Sequence, residues 1–250
     1  MANYLIFIIH LRIDIRGRPC GDVRFIGVDL GWRMDPPREE GTGFCQLDDG
    51  GKVEVARTMT SDQDILDAVA KAGDAWVAID ASLKVPNETG LRSCERALRD
   101  LGIRVLPTNR RFLARFGGSR GEVMVDKLSD LGYRTAEKGG ERGRLIFEAF
   151  PHGTLHLLSG GRRPDYKKGA PPHRAEGRRQ VVELITGWEP ALEAPSSLLA
   201  GSPDKALEDI LDAWVCAACI YSHWLNHGLT TLMVGDMDDG RILLGCQRHG

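Results

Sequence analysis

The stretch FIGVDLGW, Phe25 to Trp32, is an apolar run that meets a carboxylate, Asp29, close to its end. A continuous run of this kind, Val23 to Leu30, reads as a buried strand. An acid where such a strand stops has two readings. It caps a turn, as Asp commonly does near Gly, or it is a ligand of a cation. The same design recurs twice. AWVAID, Ala75 to Asp80, is a second buried strand ending on an acid, and Arg144 to Ala149 is a third that carries Glu148. Late in the chain, Lys205 to Asn226 reads as one long helix bearing Glu208, Asp209 and Asp212. Residues three apart share a helix face. Around Asp212 the helix is apolar: Ile210, Leu211, Ala213, Trp214 and Val215. An isolated buried charge is too costly, so that acid is paired or bound to a metal. Carboxylates close together repel, and a divalent cation relieves the repulsion. Hard oxygen ligands suit Mg²⁺ or Mn²⁺.

Outward from these strands, the elements form an α/β pattern. GTGFCQLDDGGKVEVART is a hairpin around DDGG. Ser61 to Ala72 is a helix capped by Ser61 or Asp62, and Glu88 to Leu101 is a helix stopped by Gly102. IRVLPT reads as a short strand, and Phe112 to Leu131 as a helix broken by Gly117, Gly118 and Gly121. Arg174 to Thr186 is helical, Pro190 to Pro203 is a loop or short helix, and TLMVGDMDDGRILLG is a closing hairpin. Hairpin-linked strands followed by alternating helices and strands predict a mixed sheet with helices on both faces. With 250 residues and 42% hydrophobic composition, the chain suits one α/β domain over residues 23–250. Residues 1–22 read as an extra strand or a leader. Their apolar run, Tyr4 to Leu11, is too short to span a membrane and lacks a preceding basic residue.

The net charge of −2 makes no global demand for a polyanion, but the charge is uneven. Arg162 to Arg179 holds seven Lys and Arg residues against Asp165 and Glu176, and Arg104 to Arg120 holds five arginines and no acid. A near-neutral total therefore leaves room for a basic face. The six cysteines show no framework spacing. Cys216 and Cys219 lie inside an apolar helix without a second ligand pair, so they read as small buried side chains. Reduced thiols fit a cytoplasmic location.

IGVDLGW, AIDASL, EAFPHGTLHLL, YKKG with a following Arg, and EDILDAWVCAA together resemble the family called domain of unknown function 429. The resemblance runs from about Phe25 to the C-terminus. It implies a ribonuclease-H-like fold and a nuclease activity. The wider superfamily includes RuvC-like resolvases, with an acid on the first strand, one at the end of the fourth and a D-x-x-D pair on a late helix. Asp29, Asp80, Asp209 and Asp212 match that plan, and Glu148 matches an acid of the narrower family. Where the resolvases carry a glutamate, this chain carries Asp80. The reading is metal-dependent hydrolysis of phosphodiester bonds in DNA or RNA. Asp29, Asp80 and Asp212 are the expected ligands, and Asp209 or Glu148 completes a shell or orients the water.

RRPDYKKG sets Tyr166 among basic residues. The expectation is that Lys167, Lys168 and Arg174 position a phosphate backbone, the family's K…R positions supporting this, and that Tyr166 stacks on a base. Asn109, Arg110 and Arg111 follow a predicted strand and are expected to line the cleft. His152 and His156 have H-x-x-x-H spacing without a third ligand beside them, and His152 is the better functional candidate. GVDLGW also resembles the phosphate turn of actin-like ATPases and sugar kinases, which makes a phosphotransferase the second enzyme class. A binding module without catalysis is the third reading.

Overall fold

The computed structural model describes residues 23–35, 41–137, 143–199 and 205–247. Residues 1–22, expected to be an extra strand or leader, lie outside these. Strands β1 (Arg24–Asp29), β2 (Thr42–Leu47) and β3 (Val53–Met59) form an antiparallel meander. Then come α1 (Asp62–Ala72), β4 (Ala75–Ile79), α2 (Ser93–Asp100), α3 (Arg110–Leu113), α4 (Arg120–Asp130), β5 (Arg134–Thr135) and β6 (Leu145–Ala149). The chain continues through α5 (Pro151–Leu158), α6 (Pro171–Trp188), α7 (Ser196–Leu199) and α8 (Lys205–Leu225), and closes with the hairpin β7 (Thr231–Asp236) and β8 (Gly240–Gly245). The sheet order is β3-β2-β1-β4-β6-β8-β7, with β5 also beside β6. Strands β1, β4 and β6 are parallel neighbours. This is the expected mixed sheet of ribonuclease-H-like type.

Side-chain alternation assigns the two faces. Phe25, Trp76, Ala78, Leu145 and Phe147 pack with α8 and α6. Ile26, Val28, Val77, Ile79 and Ile146 pack with α1 and α4 on the other side. Helix α8 lies unusually close to the sheet because glycines face it. A Cβ on Gly27 would stand 1.8 Å from the Ala213 carbonyl oxygen, and one on Gly43 would stand 1.9 Å from that of Asp209. The contact is backbone to backbone, and a side chain at either glycine would displace the helix. Gly27→Ala is therefore expected to cost about 3 kcal/mol, the upper end of ordinary overpacking. It should also weaken cation binding, because α8 carries Asp212. A thermal melt and a Mn²⁺ titration check this, and an unchanged melt would show that α8 shifts freely.

IRVLPT does not form the expected strand: residues 103–109 join no ladder. The free edge of β6 is already taken, by β5 at Leu145 and Ile146 and by β8 at Glu148 and Ala149. Ile103 instead buries against α2 and the closing hairpin, while Leu106 stays exposed. The glycine breaks behave partly as expected. Gly117 and Gly118 have positive φ and separate the α3 segment from α4, but Gly121 lies within α4. There its missing side chain admits the Ser82 carbonyl oxygen, 2.3 Å from where a Cβ would be.

Candidate metal centre

The parallel register aligns Val28 with Ile79. One residue further on, Asp29 and Asp80 therefore leave their strands side by side, in the phase that faces α8. The close approach of α8 completes the group. One carboxylate oxygen from each of Asp29, Asp80 and Asp212 lies within 4.8 Å of the others. They share a cavity of about 630 Å³ with Glu148, His152, Tyr166, Lys167, Lys205 and Asp209.

Asp212 is the most enclosed of the three, 1% exposed. Tyr166 Oη donates to its Oδ1 at 2.5 Å, and the Lys167 ammonium sits against Oδ2. Burial, then the charges of Asp212 and Asp80, push the Asp29 carboxyl well above the usual carboxylate range, with Lys167 offsetting part of this. Burial and the Asp212 charge push Asp80 up to about 7. Asp212, then Asp29, hold Lys167 in its charged form, its pKa raised above the ordinary lysine value. The donor set fits a divalent cation: three hard oxygens, with one ammonium against three negative charges, in a site where unrelieved repulsion is costly.

A cation must displace the protons these carboxyls retain. Mn²⁺ affinity is therefore expected to fall at least tenfold per pH unit below the Asp80 value, with proton release on binding. In the metal-free protein the same shift has the opposite consequence. A folded-state value of about 7 against an ordinary 3.8 means that neutral Asp80 contributes stability fully below the ordinary value, and that this is lost as pH rises through about 7. Calorimetry in buffers of different ionisation enthalpy reads the protons. Binding unchanged between pH 5.5 and pH 8 would contradict this coupling.

The other expected residues are distributed differently. Asp209 borders the group, and its carboxylate accepts from Lys205 Nζ at 2.8 and 2.9 Å. Burial raises its pKa, and Lys205 counters this. Glu148 lines the cavity but stands outside the three-carboxylate group. It is in register with Ile79, so it points to the face away from α8. There Arg92 grips it at 2.6 and 3.0 Å, and the Leu83 N–H donates to it at 3.0 Å. The expected base-stacking role of Tyr166 is corrected: the ring is 1% exposed and has no face free for a base. Its hydroxyl orients Asp212 instead. Lys167 is in the cavity wall, but Lys168, Arg174 and Arg110 are not. Lys168 is exposed, Arg174 pairs with Glu208 at 3.4 Å, and Arg110 pairs with Glu122 at 2.6 Å. His152 is in the wall, and its Nδ1 accepts from Arg163 Nη1 at 2.8 Å. Burial and Arg163 lower its pKa to about 4, so the ring is neutral near pH 7 with its proton on Nε2. Among the described residues no third ligand joins His152 and His156. Five of the cysteines are free thiols, all buried.

Sequence reasoning missed Arg92 and Arg120. Each is a buried guanidinium with a carboxylate partner more than fifty residues away, Glu148 for Arg92 and Asp62 for Arg120. Arg120 binds Asp62, the Thr42 hydroxyl and the Gly31 carbonyl, and so ties the loop after β1 to α1 and α4.

The sheet order and the three aspartates gathered under α8 define a ribonuclease-H-like α/β domain with a carboxylate centre able to hold a metal ion. The chain belongs to the family described as protein of unknown function (DUF429), whose model matches residues 27–236. No curated protein and no solved structure matches it. Among the described residues, no helix is long and apolar enough to cross a membrane.

Proposed function

We propose that the protein is a divalent-cation-dependent nuclease that hydrolyses phosphodiester bonds. The observation that carries this reading is the convergence of Asp29, Asp80 and Asp212, from two strand ends and one helix, on the floor of one cavity. When bound, Mg²⁺ or Mn²⁺ supplies a Lewis acid that activates water and neutralises charge developing on the phosphate. The three aspartates would hold it. Tyr166 keeps Asp212 turned toward the cavity through its hydroxyl. Lys167, beside the same carboxylate, is placed to donate to a phosphate oxygen. His152 offers a second donor at Nε2, its tautomer set by Arg163. Asp209, held by Lys205, lies within reach to orient a water.

The test is cleavage of labelled single-stranded, duplex and junction oligonucleotides of DNA and of RNA, in Mn²⁺, in Mg²⁺ and in EDTA. Cleavage that requires the cation supports the reading. Failure to cut any substrate, together with tight ATP binding, would replace it with the phosphotransferase reading.

A further inference from the structure

Trp32 stands three residues beyond Asp29, at the mouth of the cavity whose floor holds the carboxylates. Its indole is 40% exposed, yet it is firmly set. It stacks on Phe116, with centroids 5.9 Å apart and planes at 29°, and meets Phe112 edge-on at 5.2 Å. The Arg115 guanidinium lies over the Phe112 ring, 4.3 Å from its centroid. The backbone fixes the platform from both sides. The Met34 N–H donates to the Phe116 carbonyl at 3.0 Å, and Arg120 donates to the Gly31 carbonyl at 3.3 Å. Exposed Arg33 and Arg104 line the same rim.

A core explanation does not cover this cluster, because its largest ring faces outward. Its composition is specific: a rigid aromatic surface, flanking guanidinium groups and an acidic, cation-competent floor in one cavity. Phosphate contacts alone would not need the aromatic face. A nucleobase would, because every base has a π-face that stacks on such a ring, and guanidinium groups hold the adjoining backbone. In a duplex both faces of a base are covered by its neighbours, so only an unstacked base can use the site. We infer that Trp32, backed by Phe116, is a stacking platform for an unpaired nucleobase beside the phosphate held over Asp29, Asp80 and Asp212, and that the substrate is single-stranded or locally unpaired nucleic acid. This rests on the nuclease reading and narrows it.

The test is fluorescence anisotropy of a labelled homopyrimidine strand and of a blunt duplex, in Ca²⁺ and again in EDTA, with wild type, Trp32→Ala and Trp32→Phe. Mn²⁺ calorimetry on each variant reports whether the carboxylate floor is intact. Wild type is expected to prefer the single strand. Trp32→Ala should weaken that binding by about five- to a hundredfold, leave duplex binding unchanged and keep its Mn²⁺ isotherm. Trp32→Phe should retain most of the affinity. Equal single-strand affinity in wild type and Trp32→Ala would overturn the platform and leave the nuclease reading standing. Binding of neither oligonucleotide by wild type would overturn both.

Discussion

On the proposed nuclease reading, Asp29→Asn is expected to abolish Mn²⁺ binding and phosphodiester cleavage, and at the same time to raise the melting temperature of the metal-free protein. The two effects share one cause. Asp29 lies in a group of three carboxylates whose oxygens approach within 4.8 Å. Burial and its two acidic neighbours raise its pKa well above the usual range. Its charged form therefore opposes folding, and removing that charge relieves the fold. The gain should be larger at high pH than at low pH, since a raised pKa leaves the wild-type carboxyl increasingly protonated, and so already uncharged, as pH falls. Each kcal/mol gained moves the melt by about 2–4 °C in a chain of this size. The loss of cleavage should exceed the roughly 10²–10³-fold typical of removing one stabilising group, because the cation site itself goes. A stability gain alongside a functional loss separates the two readings of a strand-end acid. If Asp29 merely capped a turn, the substitution would lower the melt and leave Mn²⁺ binding alone. Wild-type Mn²⁺ binding in Asp29→Asn would remove the metal reading.

The strands, their terminal acids and the spacing of Asp209 and Asp212 are legible in the sequence because they depend on local pattern. An apolar run bounded by an acid marks a strand end, and three residues of separation marks a shared helix face. That Asp29 and Asp80 emerge side by side follows once β1 and β4 are parallel neighbours. What local pattern does not contain is phase. A strand buried on both faces reads as uniformly apolar, so the run Leu145–Ala149 does not reveal that Glu148 faces away from α8. Tyr166 misleads for a related reason. It sits in a run of basic residues, which reads as surface, yet the chain turns that one ring inward to reach Asp212. IRVLPT has the composition of a strand, but an edge strand needs a free neighbour, and β5 and β8 already flank β6. Arg92 was hidden because its main partner, Glu148, is 56 residues away.

Arg92→Met is expected to be among the most destabilising single substitutions, at about 3–5 kcal/mol. Every donor of this buried guanidinium is used. Nε donates to Glu95 at 3.1 Å, Nη1 to Glu148 and the Lys84 carbonyl, and Nη2 to Glu148 and the Ser82 hydroxyl. Glu95 in turn accepts from the Arg92 and Thr108 backbone N–H groups. Removing the guanidinium leaves two buried carboxylates, Glu95 and Glu148, without their shared counter-charge, which is the costly way to break such a network. Replacing Arg92 and Glu148 together by Met should recover part of the loss, since burial of matched apolar groups avoids the stranded charge. Glu148→Gln decides between two roles for this acid. As a metal ligand it would be needed for Mn²⁺ binding and matter little to the melt. The observed pairing predicts the reverse: a lower melting temperature and an unchanged Mn²⁺ stoichiometry. An Arg92→Met protein that melts within about 1 °C of wild type would refute the network's structural role. The expected outcome would instead separate two kinds of acid in neighbouring parallel strands: those in the phase facing α8 hold a cation, and the one in the opposite phase holds α2 to the sheet.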